Sequence, residues 1–321
     1  MAEPSRWRLY LDEAGRFEDA EDEVVVAGLL IRDLPTASPL VLRQALLDAA
    51  PGLPWPLHAN LLNLPVFFAL AARAAREGGH SAPSLLDPLA DEVVRRLSPA
   101  FAEEVEQVLS SLRVNRPVAW EHLKPLDEAL RHLGPVTYRR LQGVARAAAR
   151  AVSSVIRALV EASGGDRHSP HVLVVSAGET VRGDASEETD PATDFGTRRY
   201  LTQLECLLER VVGLLSLRDG SHEVFVLVLG RDVIDQTLGA RTALHLRHLG
   251  EVIRRVPSSP AGKVRLIPEG VARFDEAVGA LPVLADFVAN RARHILDKRE
   301  LPLFDVEARL VSRLSAPVSS W

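Results

Sequence analysis

Cysteine is almost missing from this chain, with Cys206 alone among 321 residues. A disulfide framework, a cysteine-built zinc module and dithiol redox chemistry are thereby excluded. Aromatic residues supply only 5% of the sequence while apolar residues make up 47% of it, so any core is built chiefly from aliphatic side chains. Lysine is scarce as well: Lys124, Lys263 and Lys298 are the only lysines, and arginine carries the remaining positive charge. The formal net charge of -5 denies the molecule the overall positive field with which non-specific nucleic-acid binders hold phosphate, so any such contact must be local. No apolar run approaches the ~18 residues that a membrane span needs. The opening MAEPSRWRLY has no apolar signal core behind its charges. The expectation is a cytoplasmic protein with no membrane segment. Several common chemistries are absent too, because there is no glycine-rich phosphate loop, no G-x-S-x-G elbow and no H-E-x-x-H helix.

What is present is an alternation of short strand-like and longer helical patterns. Residues 6–12 and 23–32 read as two strands joined by the acidic turn EDAED, a hairpin in pattern. Residues 171–177, 223–230 and 263–268 are further short β-branched or leucine-rich runs bounded by turn formers. Helical periodicity occupies 196–217, 241–256 and about 275–298. The order βββαβαβα predicts an α/β fold, a mixed sheet flanked by helices. From 34 to 168 the pattern changes to alanine- and leucine-rich helical text punctuated by proline, which reads as a large helical insertion dividing a core of 1–33 and 169–321. Its longest segment, 137–163, places Leu141, Val144, Ala148, Val152, Val155 and Leu159 on one face. Residues 178–195, polar and acidic without periodicity, read as a loop.

The candidate chemistry is acidic. Asp12 and Glu13 follow directly on an apolar strand, where a charge needs a metal, a partner or water to compensate it. Successive strand residues face opposite ways, so only one of the two enters a given site, and Asp12 is the favoured one. Asp232 follows the strand EVFVLVLG, and Glu205 lies at the margin of the apolar stripe of 196–217. Asp286 sits in LPVLADFVAN, where a helical wheel sets it opposite Leu281, Leu284, Val288 and Ile295 and beside Asn290 and Arg293. For each acid the competing reading is a solvated turn or helix flank. His245 and His248, three apart with no cysteine nearby, read as ordinary helix-surface residues. Arg139, Arg146, Arg150 and Arg157 form a line opposite the apolar face of 137–163, either a solvated face or a track for phosphates.

Four motifs together resemble one family. YLDEAG at 10–15 resembles the YLDESG signature of domain-of-unknown-function family 3800, LHANLL at 57–62 its His-Ala-x-x-Leu element, YLTQLECLLERV at 200–211 its tyrosine-led helix and VLADF at 283–287 its terminal Gln-Leu-Ala-Asp-Leu motif. Ala14 stands where the family has Ser, and Val283 where it has Gln. The resemblance implies an RNase H-like core in which strand and helix carboxylates converge on one or two divalent metals. Asp12, Glu205, Asp232 and Asp286 would then be the catalytic acids, with Asp12, Glu13, Asp232 and Asp286 around Mg²⁺ or Mn²⁺. His58 would be a proton shuttle or metal-shell ligand if the insertion covers the site, the other reading being a structural histidine. The function so implied is a metal-dependent nuclease or phosphodiesterase acting on DNA or RNA, with Arg139, Arg146, Arg150 and Arg157 as its nucleic-acid contacts. The alternative is a catalytically silent RNase H-like module that binds nucleic acid or a partner protein in a defence or mobile-element complex.

Overall fold

The computed structural model describes residues 3–17, 19, 22, 24–32, 63–78, 86–114, 120–162, 172–179, 195–230, 240–257, 262–273 and 280–296, together with positions 44, 59 and 118. The chain divides into two compact units, one of Met1–Ser38, Leu159–Phe274 and Leu284–Trp321, the other of Pro39–Ala158 and Asp275–Val283.

The first unit is α/β. Its strands are β1 (Ser5–Ala14), β2 (Val24–Arg32), β3 (Val172–Glu179), β4 (His222–Gly230) and β5 (Val264–Arg273). They form one sheet in the order β3-β2-β1-β4-β5. β2 runs antiparallel to both β1 and β3, while β1, β4 and β5 are mutually parallel, so β2 alone is reversed. β1 is therefore the central strand, with a hydrogen-bonded neighbour on each edge. Four of the strands are longer than their sequence patterns: β1 and β5 extend past the expected ends at 12 and 268, β4 starts one residue early at His222, and β3 takes in Gly178 and Glu179 from the expected loop. The rest of that loop, 180–194, lies outside the described residues.

Alternation along the strands divides the sheet into two faces. Trp7, Leu9 and Leu11 of β1, Val24, Val26 and Leu30 of β2 and Val224, Val226 and Val228 of β4 share one core with the helices Phe195–Ser216 and Ala240–Arg255. The first of these helices contributes Tyr200, Leu204, Leu207, Leu208, Val211, Val212 and Leu215, a stripe at three- and four-residue spacing. Tyr10 and Asp12, one step out of phase with that set, point to the other face with Val25, Ala27 and Leu29, and all five are buried as well. Gly28 marks the tightest strand contact: a Cβ there would lie 2.0 Å from the Tyr10 carbonyl oxygen, so any side chain would force β2 away from β1.

The second unit is helical among its described residues. Helices α1 (Pro65–Glu77), α2 (Asp87–Arg113), α3 (Trp120–Leu133) and α4 (Pro135–Ala162) follow in sequence. α2 bends at Phe101, two residues past Pro99, which cannot donate its turn's hydrogen bond. The buried acid here is Asp127: it accepts from the Val66 amide at 3.0 Å, supplying an acceptor at the start of α1, and from the Tyr138 hydroxyl at 2.9 Å. Arg131 donates in turn to the Tyr138 oxygen at 3.0 Å. The buried stripe of α4 is Tyr138, Leu141, Ala145, Ala148 and Val152, while Val144 and Val155 are only half-buried. The heptad-like spacing selects Tyr138 and Ala145 in their place.

In chain order, α5 is Phe195–Ser216, α6 is Ala240–Arg255 and α7 is Ala280–Leu296. At the starting edge of β4, His222 is buried and accepts from the Trp7 indole N–H at 3.4 Å, while the Arg218 guanidinium stacks 4.9 Å from the Trp7 ring. Burial pushes the imidazole below its ordinary value of 6.5, and the positive charges of Arg218, Arg32 and Lys263 push it further. The ring is thus neutral in the folded protein at pH values where the unfolded chain already binds a proton. Stability should be full above pH 6.5 and fall as pH drops through and below that value, levelling only beneath the folded-state value. Urea midpoints measured across this window should decline in the parent and decline less in His222→Gln. Equal declines would show that His222 does not control this dependence.

Candidate active site

β1 carries its acids to the edge of the sheet where the parallel strands end. Asp12 is 2% exposed, sits opposite Ala27 of β2 and occupies the face turned away from α5 and α6. Glu13 points the other way and is half-buried, in line with the expectation that only one of the pair enters a site on either face. Gly15 then adopts φ 106°, a left-handed conformation that glycine accepts without a Cβ penalty, and the chain turns.

The turn between β1 and β2 is held from several sides. Asp22 accepts from the Arg16 amide at 2.7 Å through Oδ2 and from the Arg293 guanidinium at 2.6 Å through Oδ1. Burial alone would push the Asp22 carboxyl up, but the Arg16 amide and the charges of Arg293 and Arg16 outweigh it and hold the group below the usual carboxylate range. Arg199, in the first turns of α5 and 9% exposed, donates to the backbone carbonyls of Asp19 at 2.6 Å and Asp22 at 2.8 Å. Phe17 packs edge-on to Tyr200 with ring centres 5.8 Å apart. The motif tyrosine of α5 is thus a core residue under the turn.

Asp286 corrects the helical wheel. It does not lie on a solvated face: it is 3% exposed, and its neighbours Leu284, Ala285, Phe287, Val288, Ala289 and Ala292 are all buried. α7 is covered around most of its circumference here, so a wheel drawn for one apolar stripe has no wet side to assign. Arg293 follows Asp286 by seven residues, two turns along the same helix face. Because Arg293 bonds Asp22, that face of α7 meets the turn that follows Asp12.

Glu205 is placed differently. Its carboxylate pairs with Arg255, the last residue of α6, at 3.3 Å, in the helical layer on the sheet face opposite Asp12. The structure therefore brings Asp12 and Asp286 into the buried part of the sheet unit and leaves Glu205 in a helix-to-helix ion pair. Asp232 and His58 lie outside the described residues, as does the Arg157 side chain. Among the described residues, no group of three or more histidines, cysteines, aspartates or glutamates is arranged to hold a metal ion. Arg139, Arg146 and Arg150 are exposed on α4. His248 is half-buried and lies 3.2 Å from the Glu251 carboxylate.

Sequence reasoning missed Asp22 and Arg199. Asp22 is one acid among several in its turn, and Arg199 one of two adjacent arginines at a helix start. The one available signal was the shared side of Asp286 and Arg293.

No family model, curated protein or solved structure matches the chain. No described helix is long and apolar enough to cross a membrane.

Asp12→Asn removes one charged oxygen donor with little change of volume. A ligand that binds only the folded chain raises its melting temperature, so adding MnCl₂ should stabilise the parent relative to EDTA by more than it stabilises Asp12→Asn. Equal stabilisation of the two would remove Asp12 from the metal-binding set.

Proposed function

We propose that the chain is a divalent-metal-dependent phosphodiesterase with an RNase H-like core, acting on nucleic acid. The observation that carries this reading is Asp12: a nearly inaccessible carboxylate at the end of the central strand, followed at once by a tightly held turn. The alternation of strands and helices and the second buried acid, Asp286, support it. Asp12 and Asp286 are the hard oxygen donors that would hold Mg²⁺ or Mn²⁺, with Asp232 expected as a third ligand. Glu13, facing away from Asp12, is at most a neighbour of that set. Bound metal supplies activation of the attacking water and neutralisation of charge on the leaving oxygen. Within the chain, Asp12 and Asp286 fix the position of that charge, and burial strengthens their hold by excluding water.

Arg139, Arg146 and Arg150 support the choice of nucleic acid as substrate. They form an exposed line on α4 and, among the described residues, make no ion pair that would consume their charge. Arginine at such intervals suits successive phosphates.

A second reading, the silent module that binds nucleic acid or a partner protein, is favoured by the Glu205–Arg255 pair, which occupies one of the four expected acids. Cleavage separates the two. With Mn²⁺ and labelled single- and double-stranded DNA and RNA, the parent should cut at least one form, and Asp12→Asn and Asp232→Asn should each lower the rate about 10²-fold or more. A parent that neither binds Mn²⁺ nor cuts any form would leave the silent module in its place.

The arginine line is tested by binding in EDTA. Replacing Arg146 and Arg150 by Glu should weaken binding and flatten its logarithmic salt dependence by roughly one unit per lost phosphate contact. An unchanged slope in a folded variant would make the line an ordinary solvated face.

A further inference from the structure

The two buried carboxylates stand on elements far apart in sequence, β1 and α7, and a metal ion tolerates little error in their separation. Mg²⁺ demands near-ideal octahedral geometry at about 2.0–2.1 Å, whereas Ca²⁺ accepts flexible coordination at about 2.3–2.6 Å. A link between β1 and α7 would therefore bear directly on which cation binds.

That link is visible. Asp22 lies in the turn that leaves β1 after Asp12, and Arg293 lies two turns beyond Asp286 on the same face of α7, about 10.5 Å along the axis. Arg293 Nη2 donates to Asp22 Oδ1 at 2.6 Å, with the Asp22 side chain only 10% exposed. The other Asp22 oxygen is held by the Arg16 amide at 2.7 Å, so the carboxylate cannot rotate away without breaking a second bond. Arg199 secures the same turn from below through the Asp19 and Asp22 carbonyls. A charge-assisted pair shielded from water is stronger than its exposed counterpart, and its direction is fixed at both ends.

We infer that the Asp22–Arg293 pair is a clamp that sets the separation of the Asp12 and Asp286 carboxylates, making Asp22, Arg293 and Arg199 positioning residues for the metal site. The inference rests on the metal-dependent reading above. Neither Asp22 nor Arg293 needs to touch metal or substrate. The clamp acts by joining the strand turn to the helix.

The test is calorimetric titration of the full chain with MgCl₂ and CaCl₂ for the parent, Asp12→Asn, Asp22→Asn, Arg293→Gln, Arg293→Lys and the Asp22→Asn/Arg293→Gln pair, each checked for folding by its melting temperature in EDTA. The parent should bind both cations and Asp12→Asn should lose both. Asp22→Asn and Arg293→Gln should weaken Mg²⁺ by about 10- to 100-fold, the usual effect of removing a group that orients a ligand, and weaken Ca²⁺ distinctly less. The paired variant should bind no more weakly than either single one, and Arg293→Lys should recover part of the Mg²⁺ affinity. If Arg293→Gln does not fold, Asp22→Asn and Arg293→Lys carry the comparison. Parental affinity in the folded variants, or equal losses for Mg²⁺ and Ca²⁺, would overturn the clamp while leaving the metal site standing. A parent that binds neither cation would overturn the metal site, and the clamp with it.

Discussion

A central strand with hydrogen-bonded neighbours on both edges and apolar cover on both faces has no surface on which to place a charge. β1 meets that description from Leu9 to Leu11, and Asp12 follows, still paired with β2. Every other feature of the sheet unit is arranged around it: β2 comes so close that only Gly28 fits beside Tyr10, α5 and α6 cover the odd-numbered side chains, and Asp12 is left facing the other way. A strand of this kind favours Leu, Val and Ile throughout. That it ends in a buried aspartate is a departure from stability-driven composition, and such departures concentrate where a protein does chemistry.

The polar contacts of the same region form a second layer of control. Arg199 and Arg293 approach the β1–β2 turn from different helices and bind different groups of it, backbone carbonyls in one case and a carboxylate in the other. Arginine suits both tasks because its planar fork directs several donors at once and keeps its charge when partly buried. The helical unit uses a comparable device with neutral groups, where Asp127 gathers the Val66 amide and the Tyr138 hydroxyl. The salt links among Arg73, Arg76, Glu77, Asp91, Glu106 and Arg113 in that unit are exposed, and each adds little to stability.

Much of the sheet was legible in advance because β-branched runs between turn formers leave few alternatives. All five strands fall where their patterns lie, and Asp12 is buried at a strand end as its apolar lead-in implied. Asp286 was misread because a wheel assumes one wet face, and α7 has none around that residue. Glu205 was read as a half-buried flank residue, which it is, but its partner Arg255 lies fifty residues away on α6 and no local pattern announces it. The same limit hid Arg199 and Asp22: their roles depend on which carbonyl or guanidinium the fold delivers, and periodicity carries no such information. In α4 the apolar face was assigned correctly as a face, with Tyr138 and Ala145 taking positions that hydrophobicity had given to Val144 and Val155.

The proposed metal site has Asp12 and Asp286 sharing one divalent cation. Crystals grown with MnCl₂ and measured at the manganese absorption edge would locate the ion directly. An anomalous peak with carboxylate oxygens of both residues within about 2.0–2.3 Å is the predicted result. Ordered Asp12 and Asp286 side chains with no peak between them, or a peak held only by other residues, would contradict it.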